Sequence, residues 1–341
     1  MSEKTIFWDF DNNCIKFVEQ TLLPAEYKII SCDSIERLAK AIKNLEVRGA
    51  PALGVAGAFG VSLSTFIHDD KNMDGFLKLV FDDGDYLSRT RPTAINLSWG
   101  IKRVLQSIQN AKSPEEAREN ALSEAVSIAE EDEKMCRQIG DFGAELLPDK
   151  CTVLTHCNAG ALACYTWGTA LGVIRSAVAM GKDVSVISCE TRPLNQGSRL
   201  TAWELSRDNI PVKTIPDSSA AFLMRKGEID AVIVGADRIT QDAVFNKIGT
   251  YMHAVCAKYH NIPFFVAAPS STFDKEHREN EIEIEIRNRN ELAFCGNKQL
   301  MPDCVDTLNY AFDPTPLELI TAIITERGII RPSFDENLKM P

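Results

Sequence analysis

The spacing of apolar residues changes near residue 149, and this change limits the folds that the chain can adopt. Before it, nearly every segment is helical, with apolar residues at helical spacing. After it, short apolar runs of strand length alternate with helical stretches, as in a parallel sheet that helices cover on both faces. The sequence therefore predicts an α/β protein. We expect a helical N-terminal domain, residues 1–148, followed by a Rossmann-like doubly wound domain with a mainly parallel sheet, residues 149–341.

The same patterns predict individual elements. The first domain opens with two short strands and continues with five helices, which we expect at residues 35–45, 51–67, 74–89, 94–110 and 114–147. The sheet of the second domain is expected to contain residues 152–155, 184–188, 212–215, 231–234 and 264–267. Further along, alternation of acidic residues and isoleucine predicts a strand at 281–286, and a capped terminal helix is expected at 317–324.

Charge and composition exclude several classes of function. The 48 acidic residues outnumber the 37 basic ones, and the formal net charge of −11 argues against a broad nucleic-acid-binding surface. We find neither an apolar run that approaches 18 residues nor a secretory signal pattern, so a soluble, cytoplasmic protein with no membrane contact is expected. No repeat or low-complexity tract suggests a solenoid.

The cysteines and histidines indicate a reduced compartment and no metal. Ten cysteines are spread over 341 residues without a CxxC pair, which does not resemble a disulfide framework. The five histidines form no HxH or HxxxH motif, and no Cys/His cluster has the spacing of a zinc site. We therefore expect no metal ligands.

In a doubly wound sheet, ligands bind beyond the carboxyl ends of the strands, and this rule selects two residues with useful chemistry. Cys157 follows the first predicted strand, where a thiol could be exposed in a cleft and have a function, although a small buried hydrophobe is the alternative. Asp237 follows the fourth, where apolar surroundings would raise the pKa of a carboxyl and suit it to general-acid catalysis. A helix cap or an ion pair with Arg238 is the alternative. His156 adjoins Cys157, but neighbouring strand residues point to opposite faces, so a dyad is not expected.

Three predicted helix starts carry basic side chains and could hold a phosphate group. They are Arg48-Gly49-Ala50-Pro51, Arg91-Pro92-Thr93 and Asn246-Lys247. Free backbone N–H groups at a helix start, together with a cation, form an anion site. Each start could equally be a solvated surface cap, and spacing alone does not bring them together.

Five ordered segments of the sequence resemble a known family. They are RGAPALGVAGAFG (48–60), RPTAINLSWGIKR (91–103), LTHCNAGALACYTWGTALGVIRS (154–176), ETRPLNQGSRLTAWEL (190–205) and VIVGADRITQDAVFNKIGTYMHAVCAKYHNIPFFVAAPSSTF (232–273). They resemble the 5-methylthioribose-1-phosphate isomerases. This family of methionine salvage enzymes shares a superfamily with the alpha, beta and delta subunits of translation initiation factor 2B. The resemblance extends over nearly the whole chain.

The resemblance implies an aldose–ketose isomerase that converts 5-methylthioribose 1-phosphate to 5-methylthioribulose 1-phosphate without a cofactor. It implies that Asp237 donates a proton and that Cys157 is the second catalytic group. It also implies substrate contacts at Arg48, Gly49, Ala50, Arg91, Gln196, Asn246 and Lys247. A homodimer formed through the C-terminal domain is a further implication.

Three alternatives remain open from the sequence. The substrate could be ribose 1,5-bisphosphate or 5-deoxyribose 1-phosphate, or the chain could be a non-catalytic regulatory protein like the initiation-factor subunits. A bisphosphate would need a second cationic pocket, whereas a methylthio group needs an apolar one. The aromatic N-terminal segment, with Phe7, Trp8, Phe10 and Phe17, favours the methylthio group unless those side chains belong to the core.

Overall fold

A computed structural model describes residues 4–91 and 94–332. The chain divides into two compact units. The first comprises residues 1–137 together with 160–168, and the second comprises residues 138–159 together with 169–341. The division falls within one long helix. The predicted domain boundary between residues 148 and 149 stays a prediction.

The first unit contains a small antiparallel sheet and helices. Its strands, in the order β1-β2-β3, are β1 (Ile6–Asp9), β2 (Cys14–Val18) and β3 (Ile29–Cys32). The helices are α1 (Ile35–Lys43), α2 (Ala50–Ile67), α3 (Met73–Ser88), α4 (Ile95–Ile108) and the N-terminal part of α5 (Pro114–Glu145). All five predicted helices are therefore present within a few residues of their expected ends, whereas β3 was not expected.

Helix α2 corrects one sequence expectation. By length and composition it is apolar enough to cross a membrane, with a mean hydropathy of 1.6, although we expected no such segment. In the structure 78% of this helix is buried, so it is the central core helix of the first unit. It packs closely against α4, where a Cβ added to Gly100 would lie 2.1 Å from the carbonyl oxygen of Gly54.

The second unit is built on a seven-stranded sheet in the order β15-β14-β10-β7-β4-β5-β6. All neighbours are parallel except the terminal pair β14 and β15. The strands are β4 (Lys150–Thr155), β5 (Asp183–Cys189), β6 (Val212–Ile215), β7 (Ala231–Val234), β10 (Phe264–Ala267), β14 (Ala322–Thr325) and β15 (Gly328–Ile330). The mainly parallel, doubly wound sheet is confirmed. Taken in chain order, its six parallel strands lie in the Rossmann order 3-2-1-4-5-6.

Alternating side chains of the sheet pack into two cores, one on each face. Val153 and Ile233 belong to the core that contains α6 (Ala170–Ala179). Their neighbours Leu154 and Val232 belong to the other core, with α8 (Ala220–Arg225) and α9 (Thr250–Tyr259). Because successive side chains of a strand point to opposite faces, uninterrupted apolar runs are needed to fill both cores.

The remaining elements surround this sheet. A π-helical turn, Gly197–Thr201, leads into α7 (Ala202–Arg207). A second small sheet has the order β13-β9-β8. Its strands are β8 (Arg238–Ile239), β9 (Ala243–Lys247) and β13 (Phe312–Pro316), and a short helix and hairpin comprise α10 (Asn290–Ala293), β11 (Phe294–Cys295) and β12 (Lys298–Gln299).

Two predictions for the C-terminal region were wrong. Residues 281–286 form no strand. Glu281 is the last residue of the short helical turn Glu279–Glu281, and within this segment only Ile286 makes a bridge, to Tyr310. The expected helix at 317–324 is replaced by a short turn and strand β14. Residues 313–316 pair with β9 as an edge strand, a position in which prolines are tolerated because one side of the strand donates no ladder hydrogen bonds.

Candidate active site

The two predicted catalytic residues follow neighbouring central strands. Cys157 lies two residues after β4, and Asp237 lies three residues after β7. These strands are paired in parallel, with Leu154 opposite Val232. They flank the point at which the strand order reverses, where doubly wound sheets bind their ligands.

The backbone of Cys157 is fixed on both sides by hydroxyl groups. Its N–H donates a 2.8 Å hydrogen bond to Oγ1 of Thr191, and its carbonyl oxygen accepts a 2.7 Å bond from Oγ1 of Thr201. Its φ of 67° lies in the left-handed region, which costs a non-glycine residue about 1–2 kcal/mol. The half-buried thiol is thus presented by a strained backbone that two hydrogen bonds hold in place.

Thr191 is itself held in an unfavourable conformation, with a φ of 66°. The carboxylate of Asp217 accepts 2.8 Å bonds from the N–H groups of Thr191 and Arg192. The Thr191 hydroxyl also donates to the carbonyl oxygen of Cys189, 3.1 Å away. The carboxylate of Asp217 therefore holds the loop that positions Cys157.

Asn158, which follows Cys157, has a side chain that is held by a buried carboxylate. Nδ2 of Asn158 donates to Oε1 of Glu204 over 3.0 Å. Glu204 and Asp208 each accept a bond from the buried guanidinium of Arg175, at 2.8 Å and 2.7 Å. This buried ion network ties the segment after β4 to α6 and α7.

Gln196, a predicted substrate contact, lies in the same loop region. Its side chain is buried, and its Oε1 has no hydrogen-bond partner within the described part of the chain. The next residue is necessarily glycine, because a Cβ on Gly197 would lie 1.7 Å from the carbonyl oxygen of Cys189. An unsatisfied buried carbonyl of this kind suits a ligand that can donate a hydrogen bond.

Asp237 differs from expectation in its surroundings. Its side chain is exposed rather than enclosed by apolar groups, and its backbone N–H donates to the carbonyl oxygen of Phe245 over 2.9 Å. Arg238, the suggested ion-pair partner, binds Asp274 at 2.8 Å. Desolvation of the Asp237 carboxyl would therefore have to come from a bound ligand.

Asn246 and Lys247 do not open a helix, contrary to expectation. Both are buried in β9, where Nδ2 of Asn246 donates to Oγ1 of Thr250 over 3.1 Å. Nζ of Lys247 donates to the carbonyl oxygen of Ala311 over 3.0 Å and lies over the Phe312 ring. Pairing of this segment with β13 explains its extended conformation.

The helix start that follows is already occupied by a carboxylate. The N–H groups of Gly249 and Tyr251 donate to Asp313, over 2.7 Å and 3.1 Å. Burial raises the pKa of the Asp313 carboxyl to about 6, although these N–H groups act in the opposite direction. The first turn of α9 is therefore capped by the chain itself.

In the first unit, the predicted start of α2 is present. Nε of Arg48 donates to Oε1 of Gln20 over 3.2 Å, and Nε2 of Gln20 donates to the carbonyl oxygen of Leu162 over 2.8 Å. Gly49 has a φ of 95°, and an added Cβ would lie 2.4 Å from the carbonyl oxygen of Ala163. Ala50 is the first residue of the helix. Only glycine therefore fits at the turn that precedes it.

The second helix start that we predicted to bind phosphate lies partly outside the described residues. Arg91 is half-buried and precedes α4, but Pro92 and Thr93 lie outside the described residues.

The aromatic N-terminal segment does not support a choice of substrate. Trp8 and Phe17 are buried in the core of the first unit, Phe7 packs against that core, and Phe10 is 67% exposed. Core packing, the alternative reading, accounts for three of these four side chains.

The fold brings together two buried groups of possible metal ligands that sequence spacing did not reveal. One consists of His156, Cys189 and His253 in the second unit. The other consists of Asp132, Cys136 and Cys164 in the first unit. The members of the first group lie more than 30 residues apart, so no local motif signals it, whereas Asp132 and Cys136 of the second group are one helical turn apart and Cys164 is distant in sequence. His156 is fully buried and contacts Ile248 and His253 through its two ring nitrogens, so it is directed away from a dyad with Cys157.

Comparison with known proteins gives consistent relatives over the full chain. The sequence model of the initiation factor 2 subunit family matches residues 46–332. A relative from Methanosarcina acetivorans, provisionally named methylthioribose-1-phosphate isomerase, is 53% identical over 97% of this chain and 95% of its own length.

Two solved structures share the fold. A protein from A. fulgidus described as translation initiation factor eIF-2B, subunit delta, is 53% identical with a TM-score of 0.91, over 98% of each chain. The 5-methylthioribose 1-phosphate isomerase from Pyrococcus horikoshii OT3 is 42% identical with a TM-score of 0.93, over 98% of this chain and 94% of that one. By sequence and by structure, this chain belongs to the initiation factor 2 subunit family, among relatives named methylthioribose-1-phosphate isomerase.

Proposed function

We propose that this protein is an aldose–ketose isomerase that converts 5-methylthioribose 1-phosphate to 5-methylthioribulose 1-phosphate, a step of methionine salvage. The observation that carries the proposal is similarity along the full length to proteins bearing that name. The strained, doubly anchored Cys157 at the switch point of the sheet supports it, because such conformations occur at functional sites.

The chemistry of the substrate explains why an acid is needed. The phosphate on the anomeric oxygen prevents the free ring opening of an ordinary aldose. We propose that Asp237 protonates the ring oxygen as its bond to C1 breaks. Since the Asp237 side chain is exposed, the bound substrate must supply the desolvation that keeps this carboxyl protonated.

A hydrogen must then move from C2 to C1 while C2 becomes the ketone, and the proton of the C2 hydroxyl returns to the enzyme, replacing the one that Asp237 gave to the ring oxygen. In one route Cys157 removes the C2 proton and an enediolate-like species is protonated at C1. In the other route the hydrogen moves directly as a hydride. Both routes only relocate hydrogen within one molecule, so the proposal requires no oxidant, reductant or other cofactor.

We propose substrate contacts at Arg48, Gly49, Ala50, Arg91, Gln196, Asn246 and Lys247. The unsatisfied Oε1 of Gln196 is suited to accept a hydrogen bond from a sugar hydroxyl. Gly49 supports a backbone N–H contact, because the turn before α2 carries no side-chain cap.

We further propose a cytoplasmic homodimer formed through the second unit. Four large side chains on α9 are between 40% and 81% exposed: Tyr251, Met252, Val255 and Tyr259. An apolar helix face of this kind is typical of a subunit interface. Light scattering after size exclusion should give twice the chain mass for the wild type, and Val255→Glu should shift it toward the monomer. A monomeric wild-type protein would contradict this part of the proposal.

The activity is tested by NMR with 5-methylthioribose 1-phosphate, ribose 1,5-bisphosphate and 5-deoxyribose 1-phosphate as separate substrates. Ketose should form preferentially from the methylthio sugar, and Cys157→Ala and Asp237→Asn should abolish it. Cys295→Ala and Asp306→Asn alter the same residue types at exposed positions and should retain full activity. Preference for another sugar would retain the chemistry and change the substrate.

A regulatory function is the second candidate, because a structure with 53% identity is described as an initiation-factor subunit. It predicts no turnover of any of the three sugars by folded protein. That result, with native circular dichroism, would replace the isomerase proposal.

A further inference from the structure

Three buried side chains of types that can bind metals lie close together near the carboxyl edge of the large sheet. His156 follows β4, Cys189 ends β5, and His253 lies in α9. Their exposures are 1%, 0% and 0%. None of them has been assigned a part in binding or converting the substrate.

The hydrogen bonds of this group fix one tautomer. Nε2 of His156 is 2.8 Å from the carbonyl oxygen of Ile248, which can only accept, so Nε2 carries the proton. With the proton on Nε2, Nδ1 of the neutral ring presents a lone pair. That lone pair faces Nε2 of His253, 3.3 Å away.

The hydrogen-bonding atoms of His253 and Cys189 cannot all be paired, whichever nitrogen of His253 carries the proton. Nε2 of His253 also lies 3.6 Å from Sγ of Cys189, while Nδ1 of His253 is buried without a hydrogen-bond partner among the described residues. If Nε2 is protonated, it satisfies His156, but it cannot accept the Cys189 S–H, and the lone pair of Nδ1 remains unsatisfied. If Nε2 is unprotonated, two lone pairs face each other and the Nδ1–H has no acceptor. Each choice leaves buried polar groups unpaired, which is costly.

A cation would remove the conflict at Nε2 of His253, because it accepts the lone pairs of the two imidazole nitrogens and of the deprotonated Cys189 sulfur at once, with the proton of His253 on Nδ1. In a tetrahedral zinc site, with Zn–N of about 2.05 Å and Zn–S of about 2.3 Å, ligand atoms lie about 3.3 Å (N to N) and about 3.6 Å (N to S) apart. The two distances at His253 agree with these values. The carbonyl of Ile248 on the far nitrogen of His156 is the outer hydrogen bond that orients a metal-binding histidine.

A carboxylate also lies close to this group of three side chains. Oδ1 of Asp217 is 3.8 Å from Nδ1 of His156, and this side chain is 20% exposed. The carboxylate contributes a negative charge that favours a cation. It is the same carboxylate that holds the loop of Thr191.

We propose that Nδ1 of His156, Nε2 of His253 and Sγ of Cys189 bind a zinc-class divalent cation, and that the nearby charge of Asp217 stabilises the bound ion. Mixed imidazole and thiolate ligands favour zinc among the abundant divalent ions. Binding releases the thiol proton of Cys189 to solvent and forms the metal–sulfur bond, with no change of oxidation state. The ion links β4, β5 and α9 and stabilises the fold of the second unit. The inference is independent of the proposed function.

The test uses the full chain, stripped with a chelator and titrated with cobalt(II) chloride, then zinc chloride. Cobalt should produce a thiolate charge-transfer band and the visible bands of a tetrahedral site at one equivalent, and zinc should abolish them. Zinc should also raise the melting temperature. Cys189→Ala should remove the charge-transfer band, and His253→Gln should weaken binding by more than about 100-fold, beyond the loss typical of an outer-shell change.

A matched control separates this group from the second one. Cys136→Ala removes a thiol from the Asp132, Cys136 and Cys164 group and should leave the cobalt spectrum unchanged. A band that is lost in Cys136→Ala but retained in Cys189→Ala would overturn the proposal. So would wild-type protein that stays folded, shows no charge-transfer band and gains no stability with zinc. The wild-type measurements decide the matter even if a variant fails to fold.

Discussion

The hydroxyl of Thr191 accepts a 2.8 Å hydrogen bond from the backbone N–H of Cys157, and both residues have positive φ angles, 66° and 67°. A β-branched residue is unfavourable in the left-handed region. The conformation persists because Asp217 binds the N–H groups of Thr191 and Arg192. Cys157 and Thr191, which follow neighbouring strands, therefore stabilise each other's left-handed conformation.

Thr191→Val should impair catalysis through this contact. It keeps the shape of the side chain but leaves the Cys157 N–H without its acceptor, a loss of about 1–3 kcal/mol. We expect kcat/KM for 5-methylthioribose 1-phosphate to fall by about 10- to 100-fold, mainly in kcat. Thr191→Ser retains the hydroxyl and should stay within about threefold of wild type. Equal kinetic losses in the two variants would contradict a positioning role.

Gly49→Ala should destabilise the protein far more than Gly181→Ala. Both glycines have similar φ angles, 95° and 88°, but a Cβ on Gly181 meets nothing within 4 Å, whereas on Gly49 it meets Ala163 at 2.4 Å. Strain alone costs about 1–2 kcal/mol, and overpacking adds about 1–3 kcal/mol. Urea unfolding measures both variants. Equal losses would mean that the backbone around Ala163 relaxes.

Asp132→Asn should change how stability depends on pH. Burial raises the pKa of Asp132 to about 7, from 3.8, while the N–H of Tyr165 donates to its carboxyl over 2.7 Å. The folded protein therefore holds this proton at pH values where the unfolded chain releases it. The contribution is fully present below about pH 4 and is lost as pH rises through 7.

Removal of this titration should favour the variant at alkaline pH. The free energy of unfolding of Asp132→Asn relative to wild type should increase by about 2–3 kcal/mol between pH 5 and pH 8. Urea unfolding at several pH values gives this difference. Parallel curves for the two proteins would show that Asp132 ionises normally in the folded state.

Arg175→Met should be strongly destabilising. It leaves the buried carboxylates of Glu204 and Asp208 without their shared cation, and loss of one partner of a buried ion network costs about 3–5 kcal/mol. Lys78→Met breaks the exposed pair with Asp82 and should cost less than about 0.5 kcal/mol. Thermal and urea unfolding compare the two. If Arg175→Met loses as little as Lys78→Met, the network does not stabilise the second unit.

Local patterns in the sequence were sufficient to predict the helices, the buried strands and the residues that follow them. Helix periodicity identified α1 to α5. Uninterrupted apolar runs predicted β7 and β10 with their observed ends, and the short segment 212–215, with apolar residues at its two ends, predicted β6. Helices and buried strands depend on spacing within a few residues, so the chain carries this information locally. The positions of Cys157 and Asp237 after central strands follow from the same information.

The pairing of distant segments could be known only from the folded chain. Strand β13 contains two prolines and looks like a cap before a helix, yet it lies at a sheet edge beside β9, and this pairing also makes Asn246 and Lys247 extended. The group of His156, Cys189 and His253 likewise exists only after the sheet and α9 have packed. Strand pairing and side-chain clustering depend on partners far away in sequence, and nothing in the spacing of one segment encodes them.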